Sequence, residues 1–393
     1  MNSEPFKNKN MSDITQYVYG VIPATGDLSA VVGSPLADDD RARARFLHTV
    51  NLSKDEMIGR DGIKVVSHDG LAAIVSPARQ VDITKMRKDA LAKMLVAHQK
   101  VIEVIMQSVT TVIPFRLGTY AGSESEIIEI LAKGQKLIRR ISSEINGKIE
   151  MDVVATWADF AAVLGEISEE DEIKKLKQSI TSNPRGVSVD DKMKIGLMIK
   201  TVLDRKRLEI CRQIIEKLKN TSCAQCQHEN MDDKMVMNGA FLIEAKRRSE
   251  FERDLDELDA QFAGKLHFRC VGPLAPYSFY TLELKTIRWE DVDWARHIMG
   301  LGDAASAEEI KKAFQNSARK THPDHYAQTS LAAAEPLAKP GEAERSFEEL
   351  NSARRIVLEY ALCCEQTIKE DQIVFSEEKV RQNSMLVKVR NGS

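Results

Sequence analysis

Between Tyr17 and Arg116 the apolar pattern switches repeatedly between the period of a strand and the period of a helix, and the order of the switches leaves few architectures open. Tyr17 to Ile22 is a β-prone run closed by Pro23, and Asp40 to Val50 follows as a short helical stretch. Ile63 to Val66 and Leu71 to Val75 are apolar runs separated by Ser67-His68-Asp69-Gly70, the composition of a hairpin turn. From Thr84, which suits an N-cap, to Val109, the residues Leu91, Met94, Leu95, Ile102, Ile105 and Val109 form one helical stripe. Val112 to Arg116 then returns to strand character. The order β, α, β, β, α, β predicts an α+β chain whose N-terminal domain is ferredoxin-like, one antiparallel sheet covered on one face by two helices.

Beyond this domain, Ser125 to Ile145 reads as a helix and Ile149 to Ala155 as the strand that opens a second α+β domain. Two charged, helical stretches, Asp190 to Asn220 and Asp232 to Phe262, predict a long antiparallel helical hairpin around a cysteine-containing loop. Leu266 to Val271 and Ser278 to Leu284 read as strands broken by Gly272-Pro273 and Pro276. This second set resembles the first, as in a structural pseudo-repeat. The rest of the chain is helical apart from Gln328 to Gly341, an Ala- and Pro-rich loop. The expected division is a flexible N-terminus at 1–16, the ferredoxin-like domain at 17–147 and the second domain at 148–290. A helical module at 291–370 and a C-terminal tail at 371–393 complete it.

The length of 393 residues exceeds what one hydrophobic core sustains, in keeping with several domains. A formal net charge of −3, with both signs interspersed, argues against a nucleic-acid binder. The polar start at Met1 to Gln16 has no apolar signal region, and Leu71 to Val75 and Val101 to Met106 are far too short to span a bilayer. The expectation is a cytoplasmic protein with no membrane contact. Six cysteines are too few and too irregular for a disulfide framework. Cys223, Cys226 and His228 could supply thiolate and imidazole to zinc, but a second ligand pair is missing, so an ordinary polar loop is the preferred interpretation and no metal or other cofactor is expected. No phosphate-binding glycine loop, nucleophile elbow, zinc-protease motif or dinucleotide fingerprint occurs, so no catalytic residue is assigned and an enzyme is the least supported class.

Three segments carry more information. Tyr17-Val18-Tyr19-Gly20-Val21-Ile22 resembles the first strand of the gas vesicle F/L (GvpL/GvpF) family. Val112-Ile113-Pro114-Phe115-Arg116-Leu117-Gly118-Thr119, preceded by a helix that contains His98, is similar to that family's strand-turn signature. Met237 to Ile243, then Gly272-Pro273-Leu274-Ala275-Pro276-Tyr277-Ser278-Phe279, is similar to its second signature, with Leu274-Ala275 where the family usually carries Trp-Pro. The signature positions Pro114, Phe115, Arg116, Gly118, Thr119, Gly272, Pro273, Pro276, Tyr277, Ser278 and Phe279 identify a family without thereby being a site, since turn residues shape strands wherever they occur. The resemblance implies a minor or accessory protein of gas vesicle formation, one that binds the small hydrophobic shell subunit and other accessory gas vesicle proteins. An apolar subunit exposed before assembly invites aggregation unless a partner covers it.

Ala295 to Asp324 resembles the first two helices and loop of a J domain, and His322-Pro323-Asp324 is the motif that carries the likeness. On the helix from Ser306 to Lys320, Ile310, Ala313, Phe314, Ser317 and Thr321 share one face, with Lys312 and Arg319 opposite; Phe347, Leu350, Ala353 and Ile356 give a third helix its apolar stripe. The resemblance implies docking on a DnaK-type chaperone through His322, Pro323, Asp324, Lys312 and Arg319, or else a module retained for structure alone. Ser317 and Thr321 stand where J domains are usually apolar, and Arg296 stands where an aromatic is customary. A co-chaperone adaptor acting mainly through this module is the second functional expectation.

Overall fold

The computed structural model describes residues 14–24, 62–107, 111–182, 188–321, 340–367, 372–383 and 385–390. Along the chain these form β1 (Ile14–Pro23), β2 (Lys64–His68), β3 (Leu71–Arg79), α1 (Lys88–Met106), β4 (Ile113–Pro114), β5 (Tyr120–Ala121) and α2 (Glu124–Ile145). Next come β6 (Lys148–Trp157), α3 (Phe160–Ser168), α4 (Asp171–Thr181), α5 (Val189–Leu218), β7 (Ala224–Gln227), β8 (Met235–Glu244), α6 (Arg248–Gln261) and β9 (Leu266–Leu274). The C-terminal part holds β10 (Thr281–Thr286), α7 (Trp289–Ile298), β11 (Ala304–Ala305), α8 (Ala307–Thr321), α9 (Pro340–Thr367), β12 (Ile373–Val374), α10 (Glu377–Gln382) and β13 (Met385–Arg390). The chain is a mixed α+β protein with antiparallel sheets, divided into two compact units. The first comprises 1–101, 115–141 and 282–389, the second 102–114, 142–281 and 390–393. The C-terminal helices therefore belong to the same unit as the N-terminal sheet. The helix expected at Asp40 to Val50 lies outside the described residues.

In the first unit β3 lies between β2 and β1 and runs antiparallel to both. His68 pairs with Leu71, and Asp69 and Gly70 between them take positive φ (43° and 72°), the two-residue turn that matches strand twist. Leu71 to Val75 is buried on both faces, so it forms the centre of the hairpin. Thr84 does not cap the long helix. Asp82 caps a short 3-10 turn at Ile83–Lys85, its carboxylate accepting from the Thr84 N–H (3.0 Å) and hydroxyl (2.6 Å), and α1 starts only at Lys88. Aspartate is as good an N-cap as threonine, and here it stands one turn earlier.

The second unit is built on a four-stranded antiparallel sheet in the order β7-β8-β6-β9. Ile149, Met151, Val153, Ala155 and Trp157 point from one face of β6 into a core with Ile214 and Leu218 of α5 and Phe251 and Leu258 of α6. The expected helical hairpin is corrected here. α5 covers the first helix, but of the second only a 3-10 turn at Ala245–Arg247 and α6 are helical, because Met235 to Glu244 is the strand β8. Met235-Val236-Met237 and Ala240 to Ile243 are buried without alternation, the pattern of a central strand, and short apolar runs do not distinguish strand from helix by period alone. α5 and α6 still touch: Lys217 Nζ lies 3.3 Å from Asp254 Oδ1 and 2.6 Å from Glu257 Oε2.

The C-terminal helices share a core of Val292, Ala295, Met299, Ile310, Leu350, Ala353, Val357 and Tyr360. Ser306 and Glu309 form a reciprocal cap at the start of α8, with the Ser306 N–H on Glu309 Oε2 (2.7 Å) and the Glu309 N–H on Ser306 Oγ (3.3 Å). The stretch expected as a tail is structured in its described part. β12 pairs with β11, Phe375 and Val380 enter the core, and the Tyr360 hydroxyl donates to Val374 O at 2.8 Å.

Candidate functional site

The first signature is a buried joint. Phe115 is inaccessible; its N–H donates to Tyr19 O (2.8 Å), while the Arg116 N–H donates to Leu282 O (2.8 Å) and the Arg116 guanidinium pairs with Glu283. The Thr119 hydroxyl donates to Arg116 O (2.6 Å), closing the turn, and the Val18 N–H donates to Thr119 O (2.9 Å). Gly118 stands at φ +80°, and its N–H donates to the Tyr17 hydroxyl at 3.3 Å. Pro114 is buried on β4. Behind the turn, the Tyr17 hydroxyl meets His98 Nδ1 (2.8 Å) and the Tyr19 hydroxyl meets Ser76 Oγ (2.9 Å). Burial pulls the His98 imidazole down to about 4, so it is neutral at pH 7.

The second signature is clamped by a buried acid. Glu150, on β6, is 1% exposed and receives the Ser278 N–H on Oε2 (2.8 Å) and the Ser278 hydroxyl on Oε1 (2.9 Å). His228 Nε2 lies 3.0 Å from the same hydroxyl. Asp152 is two residues along β6, so its side chain leaves the sheet on the same side. Burial, then the Asp152 charge, push Glu150 up to about 8, and burial raises Asp152 as well. With both of its oxygens accepting from Ser278, Glu150 anchors the loop that carries the second signature. Ser278 is pinned as a donor to Glu150 and is not poised as a nucleophile. Around it Pro276 O accepts from the Tyr280 N–H (2.7 Å), the Thr281 hydroxyl donates to Tyr277 O (2.7 Å), and burial lifts the Tyr277 phenol far above its ordinary range.

Gly272 and Pro273 form a bulge. Glu150 pairs with Leu274 and Asp152 with Val271, so two residues of β9 face the single Met151. A Cβ at Gly272 would stand 2.5 Å from Met151 Sδ and 3.0 Å from Glu150 O, which explains glycine there. Beside the bulge is a cavity of about 570 Å³ walled by Met106, Ile149, Pro273 and Leu274. Sequence reasoning missed Glu150, Asp152 and this cavity. The visible signal was two acids at alternate positions of an otherwise apolar strand, Ile149 to Ala155.

Cys223 and Cys226 fall on β7 or its approach, where residues three apart point to opposite faces and cannot converge on one ion. Among the described residues no group of three or more His, Cys, Asp or Glu is arranged to hold a metal. Lys312 and Arg319 are both exposed on α8, whereas Ile310 is buried and Phe314 lies under the Arg354 guanidinium (4.3 Å to the ring centre). His322, Pro323 and Asp324 lie outside the described residues. No helix among the described residues is long and apolar enough to cross a membrane.

The family model for the gas vesicle synthesis protein GvpL/GvpF matches residues 15–281, about two thirds of the chain and both signatures. The chain belongs to the GvpL/GvpF family. Gas vesicle protein F of Microcystis aeruginosa is 23% identical over 216 residues, which cover 54% of this chain and 86% of that protein. Gas vesicle protein L of a Streptomyces species is 23% identical over 239 residues, 56% of this chain and 84% of the relative. The crystal structure of GvpF from Anabaena superposes with a TM-score of 0.52 at 22% identity, covering 67% of this chain and 97% of that one. GvpF from Microcystis aeruginosa gives 0.50 at 20% identity and 67% coverage. The GvpL/GvpF fold thus accounts for the body of the chain, and residues beyond 281, with α7 to α10, are additional to the family match.

Proposed function

We propose that this GvpL/GvpF-family chain is a cytoplasmic assembly or minor structural protein of gas vesicles that binds the small hydrophobic shell subunit and other accessory gas vesicle proteins. The observation that carries the reading is the family match across 15–281, with both signature segments inside it. On this reading the buried Tyr17–His98 and Glu150–Ser278 contacts hold the frame, and partners meet its surface. The N-terminal domain at 17–147 reads as ferredoxin-like. No catalytic role is proposed for any residue.

The test is retention of the shell subunit by the tagged full-length chain after co-expression. The expected result is stoichiometric co-purification and, in a clean gene deletion, loss of gas vesicles from otherwise viable cells. Normal vesicle yield in the deletion would refute an essential assembly role.

A second reading assigns the module from Trp289 to Thr367 to recruitment of a DnaK-type chaperone. Its support is the amphipathic α8, with Ile310 buried, Lys312 and Arg319 exposed, and the His322-Pro323-Asp324 motif next in sequence. The wild-type chain is expected to stimulate chaperone ATPase turnover and His322→Gln to abolish the effect. Lys312→Glu with Arg319→Glu should weaken docking most at low salt, where exposed charges are least screened. Absence of stimulation by the wild type leaves a structural module and removes this second reading alone.

A further inference from the structure

The N-terminal half of α5 is covered on one side only. Met198 and Ile199 pack on the core of the second unit, while Val189, Met193 and Leu197, spaced by four residues on another side of the helix, are 73%, 67% and 68% exposed. Single exposed apolar residues are ordinary, but a stripe of three along two turns is the mark of a contact surface. A Cβ on Gly196 would meet nothing within 4 Å, so the backbone beside Leu197 is open to close approach. Lys192, Lys194 and Lys200 surround the stripe, all exposed and none within ion-pair distance of an acid among the described residues. Asp191 is taken up by the Ser188 cap (2.7 Å), which leaves Asp190 against three lysines.

Arg207 follows Val189 by about five turns and so leaves α5 on the same face, where it holds the tip of the β7–β8 hairpin. Its guanidinium donates to the Asp233 carbonyl and lies 3.4 Å from Asp233 Oδ1. Asp232 Oδ1 accepts from the Lys234 and Met235 N–H groups (2.9 and 3.0 Å), and Asn238 Nδ2 donates to Glu229 O (3.1 Å), so the tip is pinned along its length. Met231 stands there 77% exposed, among the exposed acids Glu229, Asp232 and Asp233, with Lys234 the one lysine beside them. One face of α5 therefore carries a bare apolar shelf ringed by lysines at its start and a rigid apolar knob collared by acids further on.

We propose that this face pairs with itself: a second copy of the chain docks antiparallel about a two-fold axis, each Met231 seating on the other copy's Val189, Met193 and Leu197 with its acids against the other's lysines. A face that is basic and bare at one end, acidic and prominent at the other, is complementary to itself only when reversed. A two-fold contact uses one patch twice and closes at the dimer. The inference is independent of shell binding. Sedimentation of the full-length chain over about 1–200 μM is expected to show a monomer–dimer equilibrium with no larger species, weakened by salt, since two small contacts make a transient interface. Lys192→Glu, Lys194→Glu and Lys200→Glu together, and separately Glu229→Lys with Asn230→Lys, should each raise the dissociation constant about tenfold or more with unchanged circular dichroism. Met231→Ser should raise it by a similar factor. Mixing the two charge-reversed chains is the decisive step, because both contacts then again join opposite charges. A heterodimer should form at wild-type concentrations although neither chain pairs with itself. A wild type that stays monomeric throughout the range, growth beyond the dimer, or a dimer that both reversals leave intact overturns the proposal. Failure of the mixture to pair overturns it too, since the losses would then owe nothing to matched charge.

Discussion

Gly118 shows how little of a signature need be a site. Its φ of +80° disfavours any side chain, and a Cβ would lie 2.8 Å from Ile83 Cγ2, so Gly118→Ala is expected to cost about 1–3 kcal/mol in the first unit. A urea titration of the variant checks it, and an unchanged midpoint would contradict the geometry. Glu150 makes the opposite case, a buried polar residue with a titration of its own. Its folded-state value, raised to about 8 from 4.5, means that the stability tied to the protonated acid is complete below about pH 4.5 and is lost as pH rises through about 8. Glu150→Gln removes that titration at the cost of one acceptor for Ser278. The variant's stability relative to wild type should therefore climb between about pH 4.5 and pH 8, read by hydrogen exchange of β6 in both proteins at each pH. A difference that is flat with pH would count against the buried-acid clamp.

At the scale of elements, the errors of sequence reading sit where periodicity is silent. β8 is buried on both faces, so its apolar run carries no alternation, and Phe241 and Leu242 fit a helical stripe as readily as a strand. Its neighbours on either side, β6 and β7, pair with it through backbone groups that no side-chain pattern reports. The C-terminal segment was opaque for a different reason. Ile373, Phe375 and Val380 are scattered apolar residues until β12 pairs with β11 and closes them over α9. Phe375 is 2% exposed, so Phe375→Ala is expected to cost about 3–5 kcal/mol and to expose α7 and α9 to protease while the second unit stays resistant. Limited proteolysis with mass mapping decides between that outcome and a true tail, whose loss would leave the helices protected.

Across the whole molecule, the family body and the C-terminal helices are not divided where the sequence boundary falls. Leu282, just past the family match, accepts from Arg116, and Val387 of β13 stands where a Cβ on Gly134 of α2 would be 3.0 Å away. Lys285 pairs with Glu359 in the same unit. A chain stopped after Thr286 loses β13 and its packing on α2, so the first unit should unfold at lower temperature while the second is unchanged. Calorimetry of the full-length and shortened chains tests this; two identical profiles would show that the module contributes nothing to the body.

The Asp69-Gly70 turn, the first strand, the amphipathic α2 and α8 and the two signatures were legible from the residues, because each depends on local propensity or on period. The Glu150–Asp152–His228–Ser278 cluster was not, since it joins residues 128 positions apart, Glu150 and Ser278, through a sheet whose register no linear pattern encodes. The same is true of the cavity, whose walls come from α1, β6, the start of α6 and the bulged end of β9. What the sequence determined by itself was the family and those elements whose period is unambiguous. Which acid is buried, where the sheet bulges and which helices share a core were decided by packing, where contact between distant residues replaces adjacency along the chain.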